Sequence, residues 1–179
     1  MGVTYRAWQF WRALLASPTC EELEQVKVFL SPKLYALFCA MQPDEQAHSF
    51  AIFSELKGKG QHHPDLLVAA LLHDSGKSRY KLHMWERVII VIGKAVFPER
   101  SKQWGTSGRD AWERSWRRAF VIAEQHPIWG AQMAEEAGAT PLAVRLIRWH
   151  QEDPHQSPAN FTEVETILLE KIRVMDGLN

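Results

Sequence analysis

The chain has 179 residues, of which 46% are hydrophobic and 23% charged, a composition typical of one soluble domain with a single core. Lysine and arginine number 21 together, as do aspartate and glutamate, so no overall field favours nucleic acid or an anionic membrane. The two cysteines lack the spacing of a disulfide framework, which fits a reducing compartment. We therefore expect a cytoplasmic protein with no membrane partner.

Apolar residues recur mostly at steps of three and four, and few stretches alternate as strands do. This spacing predicts an all-α fold, a single-domain helical bundle. The predicted helices, in chain order, are Tyr5–Ala16, Cys20–Leu30, Pro32–Met41, Pro43–Gly60, Pro64–Asp74, Met84–Phe97, Asp110–Gln125, Ile128–Ala137, Pro141–Gln151 and Glu163–Asp176. A glycine-containing loop is predicted over Gln103–Arg109, and a break in the helical pattern at His126-Pro127.

The stretch VAALLHDSGK places His73 and Asp74 directly after an apolar helical run. A buried, unpaired carboxylate is costly, so Asp74 needs a cation or strong hydrogen-bond donors. Adjacent helical residues point about 100° apart, so both side chains can reach one ion only where the helix ends. We interpret Gly76 as that ending, because glycine tolerates the backbone geometry of a helix C-terminus. Taken alone, the pair is better explained by hydrogen bonds to neighbouring helix ends, because structural ion pairs are common.

Other predicted helices offer further ligands at their ends or bends. His48 lies near a packing face, and Asp176 closes the last apolar helix. His126 falls at the predicted break, and His150 ends another helix. Each of them could instead be a core histidine or a charge at a helix C-terminus. Their repeated occurrence at such positions favours a shared metal site.

With these residues in this order, the sequence resembles the HD-domain superfamily of metal-dependent phosphohydrolases. The resemblance covers about Pro43 to Asp176 and rests on an ordered series: His48, His73, Asp74, His126, His150 and Asp176. The series is similar to that of a subgroup with six ligands and two metals, and to small bacterial HD hydrolases that split dinucleoside polyphosphates. The chain lacks the HDxxED motif of alarmone hydrolases and the Gly-Tyr-Pro signature of cyclic-di-GMP phosphodiesterases, which disfavours those substrates.

The resemblance implies a first divalent ion held by four side chains: His48, His73, Asp74 and Asp176. His126 and His150 would bind a second ion that Asp74 bridges; with one ion only, they would bind phosphate or act as acid and base. The mixture of nitrogen and oxygen ligands suits Mn, Fe, Co or Ni better than Mg. A bridging hydroxide would attack phosphorus in line, and Lys77 would neutralise charge on the phosphoryl oxygens.

The implied partner is a phosphate-containing small molecule of nucleotide size. Lys77, Arg79 and Lys81 are candidates to bind its phosphates, although the last two fit a solvated rim nearly as well. The stretch Lys77–Arg118 has eleven basic against four acidic residues, and its tryptophans could stack on nucleobases. The i, i+4 spacing of Trp112 and Trp116 instead indicates a buried helical stripe, so we do not expect nucleic acid to bind.

Other histidines carry a weaker signal, and we interpret them as structural or surface residues: His62, His63, His83 and His155. Two further functions stay open, a di-iron oxygenase with similar ligands and a non-catalytic binding or signalling module. Residues 1–42 carry no recognised motif and are interpreted as a helical extension packed on the core. Residues 43–179 would form the HD-type domain. The oligomeric state stays open, with the apolar Val88–Val96 helix as a possible dimer contact or part of the core.

Overall fold

The structure, a computed structural model, describes residues 16–106, 115–155 and 159–178. Every regular element in these ranges is helical, which confirms the predicted all-α, single-domain bundle. The α-helices are α1 (Cys20–Phe29), α2 (Pro32–Cys39), α3 (Pro43–Gly58), α4 (Pro64–Leu72), α5 (Met84–Val96), α6 (Pro98–Thr106), α7 (Arg118–Glu136), α8 (Pro141–Trp149) and α9 (Glu163–Leu178). A 3₁₀ helix, Ser75–Arg79, follows α4. Of the predicted helix Tyr5–Ala16, all but the last residue lies outside the described ranges.

Most helices begin where the sequence offers a cap. Thr19 and Glu22 form a reciprocal capping box at the start of α1, with the Thr19 hydroxyl accepting from the Glu22 backbone at 3.2 Å. Proline occupies the first turn of α2, α3, α4 and α8, where its missing N–H costs nothing. Gly138, at φ +88°, follows the end of α7 and confirms the predicted stop there.

One large core joins the N-terminal and C-terminal helices. Its largest fully buried side chains include Phe38, Phe53, Leu66, Leu71, Leu72, Ile147 and Leu169. Helices α1 and α2 contribute to this same core, for example through Val26 and Leu34. Because α4 is buried along most of its length, the residues that follow Leu72 start inside the protein.

The predicted loop at Gln103–Arg109 is wrong over its described part, because Gln103–Thr106 belongs to α6. Gly105 suggested a loop, but in the structure it lies where α6 and α7 come into close contact. A Cβ atom at Gly105 would lie 2.2 Å from Cγ of Glu124 on α7. Tertiary packing of α6 on α7 therefore outweighs the local signal for a loop. Residues 107–114, where the next predicted helix begins, lie outside the described ranges.

A membrane-spanning helix would have to be both long and apolar. Among the described residues, none of the helices meets both conditions.

Candidate metal centre

Six side chains from five parts of the chain meet at one end of the core. His48 comes from the middle of α3, and Asp176 from near the end of α9. His73 and Asp74 follow α4 directly. His126 lies within α7, and His150 follows the last residue of α8.

The first half of this cluster surrounds the Asp176 carboxylate. Its Oδ1 atom lies 2.9 Å from Nε2 of His48 and 3.6 Å from Nε2 of His73. Nε2 of His73 lies a further 3.6 Å from Oδ2 of Asp74. Potential ligand atoms of His48, His73 and Asp74 all lie within 4.8 Å of one another, a spacing that one ion could bridge.

The second half surrounds the other oxygen of the Asp74 carboxylate. Oδ1 of Asp74 lies 3.2 Å from Nε2 of His126. Potential ligand atoms of Asp74, His126 and His150 also lie within 4.8 Å of one another. The two groups therefore share Asp74, with Oδ2 facing His73 and Oδ1 facing His126.

The backbone orients three of the histidines toward the centre. Each donates its Nδ1–H to a carbonyl of the preceding turn: His73 to Ala70 at 3.0 Å, His126 to Ala123 at 3.0 Å, and His150 to Ile147 at 2.8 Å. Because a carbonyl only accepts, Nδ1 holds a proton and Nε2 faces the cluster. This arrangement is typical of metal-binding histidines, whose second nitrogen is held by a hydrogen bond.

Two of the ring nitrogens that face the centre lack ordinary partners among the described residues. Nε2 of His73 and Nε2 of His150 are buried without a hydrogen-bond partner among the described residues. Such atoms cost free energy in a folded protein unless something else satisfies them. A divalent ion between these nitrogens and the carboxylates would do so, and the mixed donor set fits a transition metal.

Proline contributes to the orientation of His126. The predicted break at His126-Pro127 is wrong, since α7 runs through Pro127 to Glu136. Pro127 cannot donate to the carbonyl of Ala123, four residues earlier. Nδ1 of His126 donates to that carbonyl instead, at 3.0 Å. The helix continues because the histidine side chain satisfies the acceptor that proline leaves open.

Gly76 is needed for a close contact rather than for a helix ending. The predicted role is wrong, because α4 ends at Leu72 and Gly76 lies within the 3₁₀ helix without a positive φ. A Cβ atom at Gly76 would lie 2.0 Å from the carbonyl oxygen of His126 and 2.6 Å from the backbone nitrogen of Gly130. Only glycine lets the 3₁₀ helix and α7 approach closely enough to bring Asp74 to His126.

We expect Gly76→Ala to lower the free energy of unfolding by about 3 kcal/mol, since overpacking against rigid backbone cannot relax cheaply. It should also weaken metal binding, because α7 must move away from Asp74. Urea unfolding and metal titration measure the two effects. Gly58→Ala is the matched control, as a Cβ atom there meets nothing within 4 Å. Unchanged stability and metal affinity in Gly76→Ala would contradict the close-contact role.

The predicted substrate-binding cations differ in their distance from the cluster. Nζ of Lys77 lies 2.7 Å from Oδ2 of Asp74, and its side chain is 23% exposed, so it borders both the cluster and solvent. Burial would lower the pKa of Lys77, but Asp74 and Glu45 outweigh it and raise that pKa. Arg79 and Lys81 are exposed, and no described contact joins either to the cluster. The Arg79 guanidinium lies 5.7 Å from the ring centroid of Trp129.

Sequence reasoning missed a buried ion pair beside the cluster. Glu45, one helical turn before His48, is 4% exposed, and its Oε1 lies 3.3 Å from Nη2 of Arg87 on α5. Its Oε2 accepts from the backbone N–H of Gln42 at 3.0 Å. Burial raises the pKa of Glu45 to about 7, although Lys77 acts to lower it. The acidic residues in the first turn of α3 were visible in the sequence, but a favourable interaction with the helix dipole is enough to explain them.

The remaining histidines lie apart from the two ligand groups. His83 caps α5, and His155 is exposed and lies 2.9 Å from Oε1 of Glu170. Nδ1 of His63 is 3.9 Å from Asp65, and His62 is exposed. The two groups within metal-binding distance, among the described residues, contain only residues of the predicted ligand series.

Asp74 and the histidines influence one another's charge. Burial would lower the pKa of His73, but Asp74 and Asp176 outweigh it and raise that pKa to about 8. Burial would raise the pKa of Asp74, but Lys77 and His73 hold it well below its usual range. Burial, with the charge of His73, lowers the pKa of His150 to about 3. In the metal-free cluster, a protonated His73 therefore lies between the two carboxylates, and Lys77 pairs with Asp74.

This charge pattern gives metal binding a pH dependence. A metal must displace the proton of His73, so we expect affinity to rise about tenfold per pH unit at neutral pH and to level off above about pH 8. His150, with a lowered pKa, is already neutral there. The stability of the metal-free protein has the opposite sign: His73 stabilises it fully below its ordinary pKa of 6.5, and this contribution is lost as the pH rises through about 8.

Calorimetric titration of the metal-free protein in buffers of different ionisation enthalpy would measure affinity and proton release together. His155→Gln, which changes an exposed histidine outside the cluster, should leave both unchanged. An affinity that stays flat through neutral pH, without proton release, would contradict a protonated His73 ligand.

Searches of protein-family models, curated proteins and solved structures found nothing that matches this chain. The functional proposal below therefore depends on the fold, the side-chain geometry and the sequence motifs.

Proposed function

We propose that this chain is a metal-dependent phosphohydrolase of HD type, acting on a nucleotide or a related phosphate ester. The observation that carries the proposal is the pair of buried ligand groups that share Asp74. Residues far apart in sequence supply them, and two of the inward-facing nitrogens lack partners among the described residues. A cytoplasmic location belongs to the same proposal, in keeping with two exposed free cysteines, Cys20 and Cys39.

The donor set suits one divalent transition ion in each group, with Mn, Fe, Co or Ni preferred over Mg. His48, His73 and Asp176 would hold the first ion, His126 and His150 the second, and Asp74 both. Bound ions of this kind lower the pKa of water and neutralise charge on phosphoryl oxygens.

The protein's own residues would position and neutralise the substrate. Lys77 is part-exposed at the edge of the cluster, so its ammonium can reach a phosphate while it stays close to Asp74. The Glu45–Arg87 pair fixes the N-terminal turn of α3 that leads to His48. Arg79 and Lys81 would provide longer-range attraction for an anionic ligand, since both are exposed and lie just after Lys77 in the chain.

The test is phosphate release from a panel of nucleoside phosphates, polyphosphates and cyclic dinucleotides, with Mn added to metal-free protein. We expect turnover that EDTA abolishes, and Lys77→Met should lower kcat about a hundredfold or more while the metal stays bound. Lys33→Met, which changes an exposed lysine on α2, is the matched control. Iron-dependent oxygen consumption without phosphate release would identify an oxygenase instead. Stoichiometric metal without any turnover would identify a binding module.

A further inference from the structure

Helix α5 exposes an unusually apolar face. Six large hydrophobic side chains in and just after it are 42–59% exposed: Met84, Trp85, Val91, Ile92, Val96 and Phe97. At about 100° per residue, the five within the helix share an arc of about 140° that contains neither Glu86 nor Gly93. We call these six residues the α5 face. Scattered exposed hydrophobics are ordinary, but a contiguous set of this size marks an interaction surface.

The orientation of α5 is fixed by contacts on its buried side. Glu86, 1% exposed, accepts from Nη1 of Arg118 on α7 at 2.6 Å. A Cβ atom at Gly93 would lie 2.6 Å from the ring of Phe120, so α5 packs closely on α7. Rotation of the helix to bury its outer face would expose this carboxylate and break both contacts. The α5 face therefore points outward as part of the packed fold.

Basic residues outnumber acidic ones in the stretch of chain that contains α5. The described part of the stretch from Lys77 to Arg118 has nine basic residues: Lys77, Arg79, Lys81, Arg87, Lys94, Arg100, Lys102, Arg117 and Arg118. It has two acidic residues, Glu86 and Glu99. Four of the nine cations pair with carboxylates: Lys77 with Asp74, Arg87 with Asp44 and Glu45, Lys102 with Glu152, and Arg118 with Glu86. Lys81, before α5, and Arg100, after it, are exposed and form no ion pair with a described residue.

We propose that the α5 face docks on an anionic lipid membrane surface. Aliphatic and aromatic side chains would enter the headgroup region, and the surrounding cations would contact lipid phosphates. The exposed side of a helix is convex, which suits insertion between headgroups. The expectation of no membrane partner came from the charge of the whole chain. The whole-chain balance hides the excess of cations in the stretch that contains α5, and docking through this face does not depend on the metal centre.

Two other occupants fit the same face less well. In a pair of copies related by a two-fold axis, cations at the ends of α5 would face those of the partner helix. Within the described part of the stretch only Glu99 could offset them, because Glu86 is buried against Arg118. Nucleic acid would match the charge, and bases could stack on Trp85 and Phe97. The aliphatic side chains of the face, Val91, Ile92 and Val96, offer no such plane and are suited to lipid instead. Trp116 is 52% exposed, so the predicted buried stripe is wrong at this position, while Trp112 lies outside the described residues.

Vesicle co-sedimentation of the full chain tests the proposal. We expect binding to equimolar phosphatidylcholine and phosphatidylglycerol, little binding to pure phosphatidylcholine, and a decrease as salt is added. Ile92→Ser combined with Val96→Ser should lower the partition coefficient at least about tenfold. Arg100→Gln should lower it about fivefold, because one cation near an anionic surface contributes about 1 kcal/mol.

Matched controls are Val28→Ser, at an 86% exposed valine on α1, and Lys33→Gln, at an exposed lysine on α2. Both should bind vesicles as the parent protein does, and circular dichroism should show all variants folded. Absent binding to the anionic vesicles would overturn the proposal, as would equal loss in the controls. If the parent protein sedimented as a dimer without vesicles, and the variant with both Ile92→Ser and Val96→Ser sedimented as a monomer, the face would bind a second copy of the chain. Nucleic-acid retention without vesicle binding would assign it to nucleic acid.

Discussion

Asp74→Asn should remove both metal ions and reduce phosphate release to background. Asp74 is the one residue common to the two ligand groups, and each of its oxygens faces a different group. An amide of the same shape has one oxygen and no charge, so it cannot serve both ions and offers at most one of them a weak, neutral ligand. We expect affinity for each ion to fall at least about a hundredfold, since even outer-sphere partners of metal ligands contribute ten- to a hundredfold.

Metal analysis after dialysis, together with the phosphate assay, measures this result. Thermal unfolding without metal is a necessary companion, because Lys77 loses its closest partner when Asp74 is neutralised. Asp153→Asn is the matched control, at a half-buried carboxylate outside the cluster, and it should keep metal and activity. Full metal content in folded Asp74→Asn would mean that the shared carboxylate is not a ligand.

His48→Gln and His150→Gln should each remove one ion and leave the other. His48 belongs to the group around Asp176, and His150 to the group around His126. His150 is 1% exposed, and its Nδ1 is held by Ile147, so only its Nε2 can bind an ion. If hydrolysis uses both ions, as proposed, activity should fall about a hundredfold or more in either variant.

Metal stoichiometry by mass spectrometry under native conditions separates the two losses. His155→Gln is the matched control, since that histidine is exposed and pairs with Glu170. If His150→Gln kept both ions and full activity, His150 would not be a metal ligand. If either variant lost both ions while folded, the two groups would not bind independently.

Much of the fold could be predicted from the sequence, because apolar spacing and caps act locally. The starts of α2, α3, α4 and α8 follow from prolines, and the all-α class from the helical period. The six residues of the ligand series were also visible, because histidine and aspartate at the ends of apolar helices are unusual there. The structure brings these residues together. That they bind metal stays a prediction.

The wrong predictions share one physical cause, which is that tertiary contacts outweigh local signals. Pro127 predicted a break, but the side chain of His126 satisfies the carbonyl that proline leaves open. Gly76 and Gly105 indicated an ending and a loop, but both glycines permit close approach to α7. Such contacts join residues distant in sequence, so no local pattern contains them. Glu45 was missed for the same reason, since its partner Arg87 lies on another helix.

The apolar Val88–Val96 stretch shows a second limit of sequence reasoning. Its hydrophobicity was compatible with a core helix, yet Val91, Ile92 and Val96 are exposed. The apolar residues of α5 cover more of its circumference than the side that packs on the protein. The buried residues on that side are Glu86 and Gly93. Periodicity reveals that a helix has an apolar face, but it cannot tell whether that face meets the protein or another surface.

The most direct test of the central claim is an anomalous-difference map from crystals of the protein grown with manganese. We expect one peak between His48, His73 and Asp176 and another between His126 and His150, with Asp74 touching both. A map without a peak on Asp74, from crystals that contain manganese at another site, would contradict the metal centre and the hydrolase proposal with it.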